Sequence, residues 1–361
     1  MKTIKAALKE NGYDIYIGKG ILERFKSLCE KKSLPKHLFF VVDENVWRIH
    51  KRYLQASLLN EEEGLIYKFP SGEKSKSFKQ ISELHKVMLE NKLGRDTLVV
   101  AVGGGVTGDA TGFASSIFMR GVPVVHIPTT LLAAVDSSIG GKTGINFNHT
   151  KNIIGSFYQP KFVLIDSTFF STLPEKEITS GLGEIIKYAF LTGQNFYDEV
   201  LAALPLFYQK DFSKTEHLIS ASINVKVEVV SSDEKETGLR KILNFGHTFA
   251  HAFESELKFK LKHGEAVIAG IICALYLSNK KGFITGQQLE NYLYLPQQIS
   301  LPVSLKKLNK EKLYQAMLSD KKNRDGKIKF VLLKNLGEIL LDIEAEKVEV
   351  FNSIERMFQN S

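Results

Sequence analysis

The densest chemistry in this sequence lies between Arg240 and Glu265. The run Arg240-Lys-Ile-Leu-Asn244-Phe-Gly-His247-Thr-Phe-Ala-His251-Ala-Phe-Glu254 is followed by a lysine-rich spacer and then His263-Gly264-Glu265, so three of the nine histidines fall here. His247 and His251 are four apart, and a helix stacks residues at that spacing on one face. Extended backward, the face takes in Asn244 and Arg240, which predicts a polar stripe at 240, 244, 247 and 251. Its neighbours are Leu243, Phe245, Phe249 and Phe253. Polar groups set among aromatics suggest a lined pocket rather than a solvated face. A helix end with ordinary surface histidines would produce the same spacing.

Upstream, Gly181-Leu-Gly-Glu184-Ile-Ile-Lys187-Tyr places Glu184 and Lys187 three apart, on a shared helical face. Glu184 with two of the three histidines would make a catalytic zinc set: three nitrogen or oxygen ligands with positions left open. The competing reading is a plain helical ion pair between Glu184 and Lys187, worth roughly a few tenths of a kcal/mol. Spacing alone leaves the pair of histidines open. His247 and His251 have the spacing of metalloprotease ligands, but the chain contains no His-Glu-x-x-His.

A second concentration of chemistry follows a predicted strand, Thr97-Leu-Val-Val-Ala-Val102, which leads into Gly103-Gly-Gly105-Val106-Thr107-Gly108-Asp109. Glycines at 103, 105 and 108 satisfy G-x-G-x-x-G between a strand and a helix. Such glycines let the backbone approach a phosphate, whose charge is met by the helix N-terminus. The next predicted strand, Val122 to Ile127, ends in Pro128-Thr129-Thr130 with no acidic residue, so this is not a standard Rossmann unit. A ribose-binding carboxylate has to come from elsewhere, and Asp43 is a candidate. The stretch Leu131 to Asn152 carries Asp136, Lys142, Asn146, Lys151 and Asn152 among glycines, which suits a phosphate-bearing ligand. A glycine-rich surface loop is the plainer reading.

The elements that must hold these groups alternate through the first half. Tyr13 to Gly18 reads as a strand and residues 20–31 as a helix. Leu38 to Val42 reads as a buried parallel strand ending in Asp43, where ligands bind in open α/β sheets. Leu65 to Phe69 leads through Pro70-Ser71-Gly72-Glu73-Lys74-Ser75-Lys76 into an amphipathic helix, and Phe162 to Ile165 closes this half at Asp166. Beyond Thr172-Leu-Pro174 helical patterns take over: Gly181 to Leu191, Glu216 to Val230, Gly264 to Lys281 and Gln287 to Gln297, with a short extended piece expected at Lys327 to Leu333. The expectation is a Rossmann-like α/β domain with a parallel sheet over residues 1–172 and a mainly α-helical domain over residues 173–361.

Bulk properties narrow the class. At 361 residues, two domains are the natural division. Hydrophobic content of 43% and charge of 24% are those of a soluble globular protein. The long apolar run, Ala266 to Leu277, is too short for a bilayer. The N-terminus does not read as a signal peptide. Cys29 and Cys273 are far apart and show no metal or redox spacing. A cytoplasmic protein is expected. Net charge is +8, but the lysines are dispersed, so nucleic acid is not indicated as a partner.

Taken together, Gly103 to Asp109, Pro128-Thr-Thr-Leu-Leu-Ala-Ala-Val-Asp-Ser-Ser-Ile-Gly-Gly-Lys142, Gly183-Glu-Ile-Ile-Lys187, Leu243-Asn-Phe-Gly-His-Thr-Phe-Ala-His251 and His263-Gly-Glu265 resemble the 3-dehydroquinate synthase family of sugar phosphate cyclases, over nearly the whole chain. The resemblance implies a dehydroquinate synthase-like fold and a divalent metal, zinc or cobalt, held by Glu184, His247 and His263. It implies NAD contacted at Asp43, at Ser71, Gly72, Glu73, Lys74, Ser75 and Lys76, and at Gly105, Val106, Thr107, Gly108 and Asp109. Thr129, Thr130, Lys142, Lys151, Phe169, Phe170, Ser171 and Thr172 complete that set. The catalytic groups it implies are Asp136, Lys142, Lys187 and His251, with Arg120, Asn152, Lys226, Arg240 and Asn244 binding substrate. Lys321-Lys322 matches a late Asp-Lys-Lys motif of the family.

The implied substrate is 3-deoxy-D-arabino-heptulosonate 7-phosphate, a sugar acid phosphate. The implied reaction runs through transient oxidation at C5 by NAD, elimination of phosphate, re-reduction, ring opening and aldol closure. A C5 ketone acidifies the C6 proton, which is why oxidation precedes loss of phosphate. The resemblance also implies a homodimer, in which Arg120 serves the neighbouring subunit's site. A metal-dependent polyol or glycerol dehydrogenase shares the glycine loop, and other sugar phosphate cyclases are closer rivals. Lys226 and Arg240 argue against the latter, whose substrates lack a carboxylate.

Overall fold

The structure is a computed structural model that describes residues 1–8, 11–58, 64–148, 150–236, 238–258, 260–319 and 327–359. In chain order the strands are β1 (Lys2–Ala6), β2 (Tyr13–Gly18), β3 (His37–Asp43), β4 (Leu65–Phe69), β5 (Thr97–Gly103), β6 (Val124–Pro128), β7 (Lys142–Phe147), β8 (Thr150–Phe157), β9 (Phe162–Asp166), β10 (Lys329–Asn335) and β11 (Glu338–Glu344). The helices are α1 (Phe25–Lys31), α2 (Glu44–Ser57), α3 (Phe78–Glu90), α4 (Gly105–Ile117), α5 (Glu175–Thr192), α6 (Gln194–Tyr208), α7 (Phe212–Ser232), α8 (His247–Glu256), α9 (His263–Lys280), α10 (Gly286–Gln297), α11 (Lys310–Leu318) and α12 (Lys347–Gln359).

Two compact units result: residues 1–173 with 210–235, and residues 174–209 with 236–361. The first unit is built on a seven-stranded sheet of order β1-β2-β9-β6-β5-β3-β4. All neighbours are parallel except β1 and β2. Central strands with both faces covered must be apolar throughout. Phe39 to Val42, Leu98 to Val102 and Phe162 to Ile165 meet that demand and are buried. The chain passes from β3 outward to β4 and returns to β5 on the other side of β3. The carboxyl ends of β3 and β5 therefore flank a switch point, where open sheets leave a crevice. Asp43 and Gly103 sit there, each one residue beyond the last paired residues of these strands, Val42 and Val102.

The stretch Leu131 to Asn152 is not an irregular loop. It holds a π-helical turn at Ala133–Ser137 followed by β7, which pairs antiparallel with β8. Gly144 faces Gly155 in this hairpin, and a Cβ on Gly155 would lie 2.0 Å from the Thr143 carbonyl oxygen. The strands meet closely because neither position carries a side chain. Helix α7 groups with the first unit, an excursion that one boundary near 172 has no place for.

The second unit packs α5, α8, α10 and α12 around α9. Every residue of α9 from Gly264 to Ser278 is buried, as expected of a helix that is apolar all round. The apolar run noted in the sequence is thus the axis of this unit. No described helix is long and apolar enough to cross a membrane. The extended piece expected near the end is β10, and it pairs with a strand the sequence did not suggest, β11.

Candidate active site

In the second unit, two glycine contacts bring together three positions whose side chains could ligate a metal. Helices α5 and α9 touch backbone to backbone at Gly183 and Gly264, where a Cβ on Gly183 would lie 2.4 Å from the Gly264 carbonyl oxygen. Glu184 and His263 are the immediate neighbours of these glycines. At Gly246, φ is +78° and the carbonyl oxygen approaches Gly270 of α9 so closely that a Cβ there would sit 2.1 Å away. His247 follows Gly246 as the first residue of α8. The outcome is a carboxylate and two imidazoles whose ligand atoms all lie within 4.8 Å of one another.

Glu184 is fully buried, with its Oε1 3.3 Å from His263 Nε2 and 3.5 Å from His247 Nε2. That oxygen has no hydrogen-bond partner of regular geometry. Lys187, also buried, pairs with Oε2 and lies over the Tyr188 ring. The sequence offered an ion pair or a ligand set as alternatives for Glu184, and it takes part in both arrangements. Burial favours the neutral acid, yet Lys187 and the two imidazoles outweigh it and hold the Glu184 carboxyl well below its ordinary range. A buried ionised carboxylate with one unsatisfied oxygen, facing two ring nitrogens, fits a divalent cation. Among the described residues, this is the group of histidine, cysteine and carboxylate side chains able to hold an ion, and it excludes His251. His251 packs edge-on against His247, with ring centroids 5.6 Å apart.

The expected helical stripe is broken. Arg240 and Asn244 lie in a 3-10 turn, Leu239–Asn244, and the chain reverses its twist at Gly246 before α8 begins. The cause is the close approach to α9, which a continuous helix could not make. Arg240 is nonetheless buried at 2% exposure, and Asn244 donates to Glu236 Oε1 at 3.0 Å.

In the first unit, α4 starts at Gly105 with no side chain capping its N-terminus, which leaves its first N–H groups for an anion. A Cβ on Gly104 would meet Thr130 at 3.1 Å and one on Gly105 would meet Ser137 Oγ at 2.9 Å, so bulk is excluded along this loop. Thr129 N donates to the Gly103 carbonyl. Asp43 Oδ1 caps α2 by accepting from Asn45 N (2.8 Å) and Val46 N (3.2 Å), and also accepts from Ser71 Oγ at 2.8 Å. Buried Lys76 pairs with Asp109 Oδ2 at 2.7 Å and also donates to Asn152 Oδ1. Burial raises the Asp109 pKa, against the pull of Lys76. Glu73 Oε1 accepts from Asn146 Nδ2 at 2.8 Å.

Lys226 reaches from α7 to the π-helical turn, donating to the Asp136 carbonyl at 2.6 Å and pairing with its carboxylate. Lys142 opens β7 exposed, Lys151 on β8 is partly buried, and Lys74 is exposed. Phe169 and Phe170 are core residues, packed against Tyr53 and Phe212, while Thr172 Oγ1 meets His50 Nε2 at 2.8 Å. Arg120 is exposed with φ +66°, after Met119 at φ +47°. Lys321 and Lys322 fall outside the described residues.

The 3-dehydroquinate synthase N-terminal family model matches residues 66–180, and the C-terminal model of the same family matches residues 181–323. The chain belongs to the 3-dehydroquinate synthase family. Curated 3-dehydroquinate synthases agree: that of Nitrosomonas europaea is 40% identical over 94% of this chain and 93% of its own length. The Pelagibacter ubique protein is 41% identical over 93% and 94%. Among solved structures, 2-epi-5-epi-valiolone synthase from Streptomyces hygroscopicus, with NAD+ and Zn2+ bound, has a TM-score of 0.85 at 26% identity, covering 98% of this chain and 99% of its own. What the sequence missed here is the surroundings of the Glu184, His247 and His263 cluster, above all the buried carboxylate of Glu254. Its position three residues after His251, within a motif otherwise absorbed by function, was the signal.

Proposed function

We propose that this chain is a 3-dehydroquinate synthase, a phosphate-eliminating carbon–oxygen lyase that converts 3-deoxy-D-arabino-heptulosonate 7-phosphate into 3-dehydroquinate and phosphate. The carrying observation is the cluster of Glu184, His247 and His263 with Lys187 paired to the same carboxylate, in a chain about 40% identical to enzymes of that name. Bound NAD supplies reversible hydride acceptance and a bound zinc or cobalt ion supplies Lewis acidity.

The chain's own residues do the remainder. Glu184, His247 and His263 would hold the ion. The open N-terminus of α4 and its glycine loop receive the dinucleotide phosphates, while Asp43, Ser71 to Lys76, Asp109, Thr129, Thr130, Lys142, Lys151 and the 169–172 segment complete NAD binding. Lys226 presents a buried cation, fixed by Asp136, to an anionic group of the substrate. Arg240 can fork onto a carboxylate, the group that separates this substrate from those of other sugar phosphate cyclases. Arg120, Asn152 and Asn244 add donors. Lys187 and His251 serve as proton-handling groups, with His251 or the departing phosphate taking the C6 proton. The protein works as a cytoplasmic homodimer, with Arg120 reaching the neighbouring subunit's site.

Incubating purified protein with the heptulosonate phosphate, NAD and zinc tests this reading. Phosphate and dehydroquinate should appear together with no net NADH. NADH rising in step with turnover would identify a polyol dehydrogenase and overturn the assignment.

A further inference from the structure

Glu254 has no part in the ligand set, yet it is buried at 4% exposure beside it. It lies on α8 seven residues after His247 and three after His251, on the face those histidines occupy. Its Oε2 is 3.5 Å from Nδ1 of His263. The opposite ring nitrogen, Nε2, points at Glu184 Oε1, 3.3 Å away. The imidazole of His263 is therefore held between two carboxylates, one at each nitrogen. His247 is arranged differently: its Nε2 also faces Glu184, but its Nδ1 meets the Phe245 backbone carbonyl at 3.3 Å.

We propose that Glu254 is a positioning residue for the metal centre, fixing the tautomer and ring plane of His263. A ligating imidazole must present a bare nitrogen to the ion, so its proton sits on the other nitrogen and needs an acceptor there. The Phe245 carbonyl provides that acceptor for His247 and Glu254 provides it for His263. The two acceptors are not equivalent. A carboxylate raises the basicity of its imidazole more than a carbonyl does, and its negative charge offsets part of the ion's charge in a buried site. His263 also needs the support more, because it is the less buried of the two rings. Helix α9 supplies His263 while α8 supplies Glu254, so the contact also ties the two ligand-bearing helices at the site.

This inference rests on the reading of Glu184, His247 and His263 as metal ligands. The test uses apo full-length protein titrated with Zn2+ against a chromophoric chelator, and with Co2+ followed by its visible absorption. Glu254→Gln should weaken metal binding about 10- to 100-fold and shift the Co2+ band envelope. The thermal midpoint of the apo protein and its affinity for NAD should stay near wild type. Glu254→Asp, which keeps the charge on a shorter stem, should recover part of the loss. Wild-type metal affinity within twofold in Glu254→Gln overturns the inference while leaving the ligand set standing. So does a loss that only tracks a lowered apo midpoint in both variants. Failure of the wild-type protein to bind either ion overturns the ligand reading and this inference together.

Discussion

Replacing Gly264 by alanine probes the contact on which the Glu184, His247 and His263 cluster depends. The new Cβ would sit 2.0 Å from the Ser180 carbonyl oxygen and 2.6 Å from its carbonyl carbon and Cα, against ordinary contact from 3.4 Å. All three atoms are backbone of α5, so no rotamer change relieves the clash, and α5 and α9 must part by roughly an ångström or more. Overpacking of this kind costs about 1–3 kcal/mol of stability. The effect extends to function, because His263 precedes Gly264 and Glu184 lies beside Gly183. Metal–ligand distances are held to within about 0.2 Å, and a shift of about 1 Å takes His263 well outside that range. Gly264→Ala should therefore weaken Co2+ or Zn2+ binding by about 10- to 100-fold, the loss expected when ligand support is disturbed. Competition with a chelator measures this, with Gly286→Ala as the control, since nothing lies within 4 Å of a Cβ at that position. Wild-type metal affinity in Gly264→Ala would refute the claim that backbone contact sets the ligand spacing.

Three further outcomes follow from the same structure. Lys226→Met removes the buried cation beside Asp136 and should lower kcat/KM for the sugar acid phosphate by about 10²-fold with NAD affinity unchanged; a change under twofold would remove Lys226 from substrate binding. His251→Ala should slow single-turnover phosphate release while retaining the metal, and an unchanged rate would leave the C6 proton to the departing phosphate. Burial pushes the pKa of His126 down to about 4 in the folded protein, from 6.5. As pH falls the unfolded chain therefore takes up the proton first, and stability present above about 6.5 drains away toward pH 4, by about 3 kcal/mol in all. Denaturant midpoints of His126→Gln should show a shallower decline between pH 7 and 4.5, and an identical slope would assign the acid sensitivity elsewhere.

The parallel strands were legible because buried strands are written as unbroken apolar runs, and β3, β5 and β9 are such runs. The glycine loop was legible because its turn, its helix and its place after a strand are all local. The cluster of Glu184, His247 and His263, able to hold a metal, was only half legible. Three histidines and a glutamate stood out, but which ring nitrogens converge on Glu184 depends on where α5 and α8 touch α9, a tertiary contact with no periodicity of its own. The resemblance to a known family carried the choice that spacing could not make. The stripe from Arg240 to His251 failed as a continuous helix for the same reason: Gly246 adopts a left-handed φ to let α8 approach Gly270. Hairpin β7–β8 escaped notice because its polar, glycine-bearing strands have the composition of a loop, and pairing rather than propensity makes them strands.

The excursion of residues 210–235 into the first unit has a consequence for synthesis and dissection. When the ribosome has made Leu173, every strand of the seven-stranded sheet exists, yet Lys226, which pairs with Asp136, does not. Lys226 and the helix that lies along β1 emerge only after α5 and α6, which belong to the other unit. Vectorial folding thus leaves the first unit without its last helix until α5 and α6 have been made, although its sheet strands are all present. No single cut releases either unit whole. A fragment ending at residue 173 would carry the glycine loop without the lysine that completes its neighbouring turn, so fusion or truncation designs must treat the chain as one indivisible coding piece.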